Sequence, residues 1–242
     1  MKSILATVAQ LIFTFLLYLA VILIMGLALA PSLLFFYHIW LQVANLAITI
    51  RMILLGCALA AAFFMYGICL MVIVGLLRIV FKLNLKEGEY HIASAGAAKW
   101  AFINALFLLV ATTFMDFILL TPLANLFYRL MGARLGKNVQ INSKFCADIS
   151  LLEIGDESVI GGHATVICHS FERNRLILKK VKLGKKVIVG LNSVILPGCE
   201  IGDGALIAAG SVLGKNTKVE PRSVYCGVPA ESSRERKERY AE

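Results

Sequence analysis

The side chains best suited to moving a proton stand in one short run, Cys168-His169-Ser170-Phe171-Glu172. A neutral imidazole has an unperturbed pKa of about 6.5, so His169 can take a proton from a hydroxyl or amine as that group attacks an electrophile. Glu172, three residues later, and Glu153, further back, are the carboxylates able to orient such a ring and stabilise its protonated form. Cys168 invites a nucleophile reading, but no second base is in view to activate its thiol. His163 precedes His169 by six residues, and these are the only two histidines beyond Gly132. A zinc site built on three imidazoles is therefore unavailable, and no bound metal is expected. Lys179, Lys180, Lys182, Lys185 and Lys186 form a basic run that suits phosphates, anionic lipid headgroups or a solvated face.

The elements that must position these residues follow from a period of six. Aliphatic residues, ending in a tyrosine, recur at Leu183, Val189, Ile195, Ile201, Ile207, Leu213, Val219 and Tyr225, and mostly small residues follow four places behind, from Val187 and Ser193 to Ser223. The same register holds at Ile154, Ile160 and Val166. Six is not the helical 3.6, and short β-branched runs between Gly and Asp turns read as strands. Three hexads make one triangular coil, and stacked coils bury a continuous apolar column. From Val166 to Leu183 the spacing is 17 rather than 18 and the pattern lapses, so a loop is expected to leave the prism directly after His169.

The first half is a different material. The chain of 242 residues is 59% hydrophobic and 16% charged, with no Asp, Glu, Lys or Arg from Ser3 to Ile50 or from Met52 to Leu77. Ile4 to Leu29 and Met52 to Phe81 are each long enough to cross a hydrocarbon core of roughly 30 Å at about 1.5 Å per residue, and too long for a cleaved signal segment. Pro31 to Arg51 reads as interfacial or re-entrant, and Trp100 to Leu126, with Asp116 and Pro122, as lying in the interface or docking under the prism. Arg78, Lys82, Lys86 and Lys99 place the globular half on the cytoplasmic side by the positive-inside rule. The expected domains are 1–131, transmembrane and interfacial helices; 132–230, a β-helix; and 231–242, a charged tail.

The net charge of +9 is too diffuse for nucleic acid and suits a lipid surface or phosphate-bearing ligands. Six scattered cysteines without a CxxC pair read as reduced structural thiols. The spans hold few ionisable groups, which argues against a transporter.

The stretches GARLGKNVQI (Gly132 to Ile141), ADISLLEIGDESVIG (Ala147 to Gly161), HSFE (His169 to Glu172), NSVILPGCEIGDGALIAAGSVL (Asn192 to Leu213) and GVPAE (Gly227 to Glu231) carry a resemblance. From about Lys82 to Ala230 the chain resembles the membrane-anchored hexapeptide-repeat acyltransferase domains at the ends of some nonribosomal peptide synthetases, such as poly-lysine synthetase. The second half is also similar to sugar O-acetyltransferases. The resemblance implies a left-handed parallel β-helix, a homotrimer with its sites in the grooves between prisms, and His169 as general base. It also implies an acyl-CoA or phosphopantetheine thioester as co-substrate. The chain lacks a carrier domain, so a carrier protein would be a separate partner, and the acceptor would be a small molecule, a peptide or a lipid-linked compound. Expected donor contacts are Gly190, Asn192, Ala208, Ala209, Gly210, Ser211, Gly227, Pro229 and Ala230, with Lys185 for phosphate. The alternative is a non-catalytic membrane scaffold for a synthetase or export assembly.

Overall fold

The computed structural model describes residues 2–234, so most of the expected charged tail, 235–242, lies outside the described residues. The chain divides into two compact units, one ending at Leu77 and the other beginning at Arg78. The boundary expected at 131 thus falls inside the second unit, because two helices that precede the prism pack onto it.

In the first unit, α1 (Lys2–Gln42) is one continuous helix through Pro31. The interfacial segment expected at Pro31 to Arg51 is replaced by the last turns of α1, a short turn, and the start of α2 (Ile48–Val80). Apolar side chains that face no protein, such as Phe15, Ile22 and Leu33, favour a continuous helix because it satisfies nearly all its own backbone groups away from water. Gln10–Gln42, Ile48–Val80 and Ala95–Thr113 are each long and apolar enough to cross a bilayer.

In the second unit, β1 (Gly88–His91) leads to α3 (Ala95–Thr113), whose N-cap Ser94 accepts a hydrogen bond from the Ala97 N–H, and then to α4 (Pro122–Leu130). Phe107 on α3 lies 5.8 Å from Phe127 and 5.9 Å from Tyr128 on α4, measured between ring centroids. Tyr128 donates its hydroxyl to Ser143 O at 2.7 Å and Asn125 its amide to Val139 O, so α4 closes the open end of the prism. The segment Trp100 to Leu126, expected in the interface or under the prism, touches the coils through both α3 and α4.

The coils follow in order. The first holds β2 (Arg134–Leu135) and β3 (Gln140–Ile141); the second holds β4 (Leu152–Ile154), β5 (Val159–Ile160) and β6 (Thr165–Val166). The chain then departs as a hairpin, β7 (His169–Glu172) and β8 (Arg175–Leu178). It resumes with β9 (Val181–Leu183), β10 (Ile188–Val189), β11 (Val194–Ile195), β12 (Glu200–Ile201), β13 (Leu206–Ile207), β14 (Val212–Leu213), β15 (Lys218–Val219) and β16 (Val224–Cys226), before β17 (Glu231–Ser232) turns back antiparallel on β16. Strands stack in parallel into three faces, β2-β4-β9-β12-β15, β3-β5-β10-β13-β16 and β6-β11-β14.

Every aliphatic residue of the hexad register from Leu183 to Val219 is buried, as are Ser158, Ser193 and Ser211 at the small positions. From Lys186 to Arg222 a residue with positive φ recurs every six places, at 186, 192, 198, 204, 210, 216 and 222, and turns each corner. His163 holds the same kind of corner at φ 56°. Gly190 is required by closeness, since a Cβ there would meet Ala209 N at 2.5 Å.

Candidate active site

The loop expected after His169 is the β7–β8 hairpin, turned by Arg173 and Asn174 at positive φ. Its neck closes where the Lys179 N–H donates to Cys168 O at 2.8 Å, and β1 adds a third strand alongside β8. Leu176 and Leu178 are buried beneath it, and Tyr90 of β1 lies directly against Gly96 at the start of α3. Prism, hairpin and α3 therefore form one packed group around His169.

The carboxylate on the imidazole is Asp148. Its Oδ2 lies 2.6 Å from His169 Nδ1 and accepts the Cys168 N–H at 3.1 Å. Its Oδ1 accepts the Trp100 indole N–H at 2.6 Å and an Asn104 amide N–H at 3.0 Å. The Asp148 side chain is 0% exposed and that of His169 22%. Three N–H donors and a ring nitrogen thus surround the buried group, the complement an acceptor-only carboxylate requires. A carboxylate at Nδ1 fixes the tautomer with the proton on Nδ1, which leaves the Nε2 lone pair as the basic position. Trp100 stands edge-on to the imidazole at 4.9 Å between centroids, and Phe171 lies 5.3 Å from Trp100.

Neither carboxylate expected to orient the ring does so. Glu172 points away to Lys215 Nζ at 2.6 Å, which holds its carboxyl below the usual carboxylate range. Glu153 lies on the outer side of β4, paired with Arg134 at 3.2 Å and Lys180 at 3.3 Å. It belongs to a ladder of alternating charge, Arg134, Glu153, Lys182, Glu200 and Lys218, along the first face. Cys146 bridges Val166 in the coil above, so the residue two beyond Cys146 lies below the residue two beyond Val166, which sets Asp148 under Cys168. Cys168 itself is fully buried, and desolvation reinforced by the nearby Asp148 charge pushes its thiol well up, which unsuits it as a nucleophile.

The expected donor contacts gather at one corner, between the second and third faces. Gly190 and Asn192, then Ala208, Ala209 and Gly210, stack there in successive coils, and the Gly210 N–H donates to Leu191 O at 2.8 Å. Ser211 Oγ accepts the Gly227 N–H at 3.2 Å, and the Ala230 N–H reaches Val212 O at 2.8 Å, which brings the turn containing Pro229 to the same edge. Lys185 lies elsewhere, between the first and second faces, with its ammonium 3.3 Å from Asp156. His169 lies at the remaining corner, between the third face and the first. One chain therefore does not unite the donor corner with the imidazole. Among the described residues no cluster of His, Cys, Asp or Glu is arranged to hold a metal.

Residues 180–215 match the family described as bacterial transferase hexapeptide (six repeats). The matched residues run from β9 to β14 of the prism, which is a left-handed parallel β-helix. Delta-poly-L-ornithine synthetase of Acinetobacter baumannii (strain AB307-0294) is 26% identical over 181 residues, which are 72% of this chain and 13% of that protein. Galactoside O-acetyltransferase of Escherichia coli (strain K12) is 31% identical over 114 residues, 41% of this chain and 55% of the relative. The chain thus spans about half or less of the length of these two curated relatives. Among solved structures, a hexapeptide-repeat acetyltransferase from Vibrio cholerae O1 biovar eltor, complexed with acetyl coenzyme A, overlays with a TM-score of 0.49 at 21% identity. That overlay covers 63% of this chain and 96% of the other.

Proposed function

We propose that the chain is a membrane-bound acyltransferase that moves an acyl or aminoacyl group from a CoA or carrier-protein thioester to an amine or hydroxyl, with His169 as general base. The observation that carries this reading is the 2.6 Å contact of His169 Nδ1 with the buried Asp148, at the point where the hairpin leaves a hexapeptide prism. The acceptor O–H or N–H attacks the thioester carbonyl as His169 Nε2 takes its proton. The tetrahedral intermediate collapses, the C–S bond breaks, and the imidazolium returns the proton to the departing thiolate.

The separation of donor corner from imidazole favours a site completed between copies, and we take the active form to be a homotrimer. The outward side chains of the second and third faces support it. Ile188, Leu191 and Val224 are exposed there, and Val194 and Val212 half-buried, whereas the first face is charged. Lys82, Lys86 and Lys99 favour the prism on the cytoplasmic side, where free CoA is at hand.

The test is thiol release from acetyl-CoA by the full chain in detergent, with dodecylamine and octyl glucoside as amphiphilic amine and hydroxyl acceptors. His169→Ala is expected to lower the rate about 10²- to 10⁴-fold, and Asp148→Asn to lower it strongly by imposing the wrong tautomer. Release that survives His169→Ala within tenfold, or no release with either acceptor, would overturn the reading.

A further inference from the structure

The coils alone supply only part of what holds the acid–base pair. A prism with its hairpin gives Asp148 one backbone donor, the Cys168 N–H, and the imidazole it orients. The other two donors come from α3, where Trp100 and Asn104 lie one helical turn apart and both point at Oδ1, at 2.6 Å and 3.0 Å. Asn104 also accepts the Asp148 N–H at 3.3 Å, gripping main chain and side chain together, while its amide donates to Trp100 O at 3.1 Å. Asp148 is the start of a tight turn, Ile149–Leu151, with φ 57° in the left-handed region.

A carboxylate turns readily about its last side-chain bond, and whichever oxygen is free takes the nearest donor. Two donors on Oδ1 therefore fix Oδ2 toward His169. The Trp100 ring does a second task, since its position against the imidazole and Phe171 restricts the imidazole's own rotation. Gly96 and Tyr90 key the start of the same helix to β1, next to the hairpin that carries His169.

We infer that Trp100 and Asn104 are positioning residues that hold the Asp148–His169 pair, so that the seating of the apolar helix α3 sets the tautomer of the base. This inference rests on the reading of His169 as base for its effect on rate, and on geometry alone for its effect on the tautomer. Among the described residues, α3 is one of three helices long and apolar enough to cross a bilayer. A displacement of that helix would therefore be felt at the imidazole.

The experiment uses the full chain in detergent micelles, labelled with ¹⁵N-histidine, with the His169 signal assigned by its loss in His169→Gln. The parent is expected to show His169 protonated on Nδ1. Trp100→Phe, which deletes one N–H and keeps an aromatic ring, and Asn104→Leu are each expected to move the signal to a mixture of tautomers. Both should lower kcat for acetyl-CoA about tenfold with KM within twofold. Leu108→Ala, on the exposed side of α3, is expected to change neither. An unshifted His163 signal reports an intact prism, and if Asn104→Leu does not fold, Trp100→Phe decides alone. A parent-like tautomer and parent-like kcat in Trp100→Phe would overturn the inference while leaving His169 as base. Full activity in His169→Ala with an altered tautomer in Trp100→Phe would overturn the functional reading and leave the clamp standing.

Discussion

At Cys168 a thiol and a base are neighbours in sequence, yet the fold turns them to opposite uses. The thiol points into the prism at 0% exposure while the imidazole beside it reaches the surface. Burial pushes the Cys146 thiol up to about 12 and raises Cys168 well above its ordinary value. Neither is a thiolate at neutral pH, so iodoacetamide at pH 8 is expected to leave both unmodified in the native chain and to label both after unfolding, as read by peptide mass. Labelling of native Cys168 at the rate of a free thiol would refute this. His169 was legible in the sequence because a broken hexad marks where a loop must start. Its partner was not, because the non-repeating run Asn142 to Phe145 hides the register that sets Asp148 beneath it. Trp100 and Asn104 left no trace at all, since nothing in a helical segment says which coil it will meet.

The elements repeat a single device, a two-residue strand followed by a corner, and their junctions are polar as well as apolar. Asp156 caps one corner by accepting the Lys137 N–H from the coil below at 2.8 Å, and Asp203 does the same for Lys185 at 2.7 Å. The Lys137 N–H, joined by the Lys185 ammonium, holds the Asp156 carboxyl below its ordinary value of 3.8. A depressed folded value means that this stabilisation is present above the unfolded value and is lost as pH falls through the folded one. Asp156→Asn is therefore expected to melt below the parent at pH 6 and to converge with it toward pH 3 in calorimetric scans. An equal gap at both pH values would count against the linkage. Strand positions were readable because a six-residue period survives eight cycles. The helical half was less so, because uniform apolarity gives no phase from which to see that α1 runs unbroken through Pro31.

As a whole molecule the chain joins long apolar helices to a prism with one charged face and two apolar ones. If the apolar faces are covered by copies of the same prism, acetyl-CoA bound at the donor corner stabilises the assembly by mass action. At 100 times its dissociation constant the gain is about 2.7 kcal/mol, which a thermal shift of the detergent-solubilised chain would register, alongside a trimeric mass by light scattering. A monomer that does not shift with acetyl-CoA would contradict the assembly. The hairpin neck bears on how such a molecule is put together. The spacing from Val166 to Leu183 exceeds one hexad by eleven residues, and that excess is the excursion between Cys168 and Lys180. The coil reaches the neck and resumes above it in unbroken register, as a spiral stair passes a balcony. The balcony carries His169 while Asp148 stays in the storey beneath it, so the proton-handling pair exists only where the two meet, and a change at the hairpin tip around Arg173 and Asn174 can leave every storey in place.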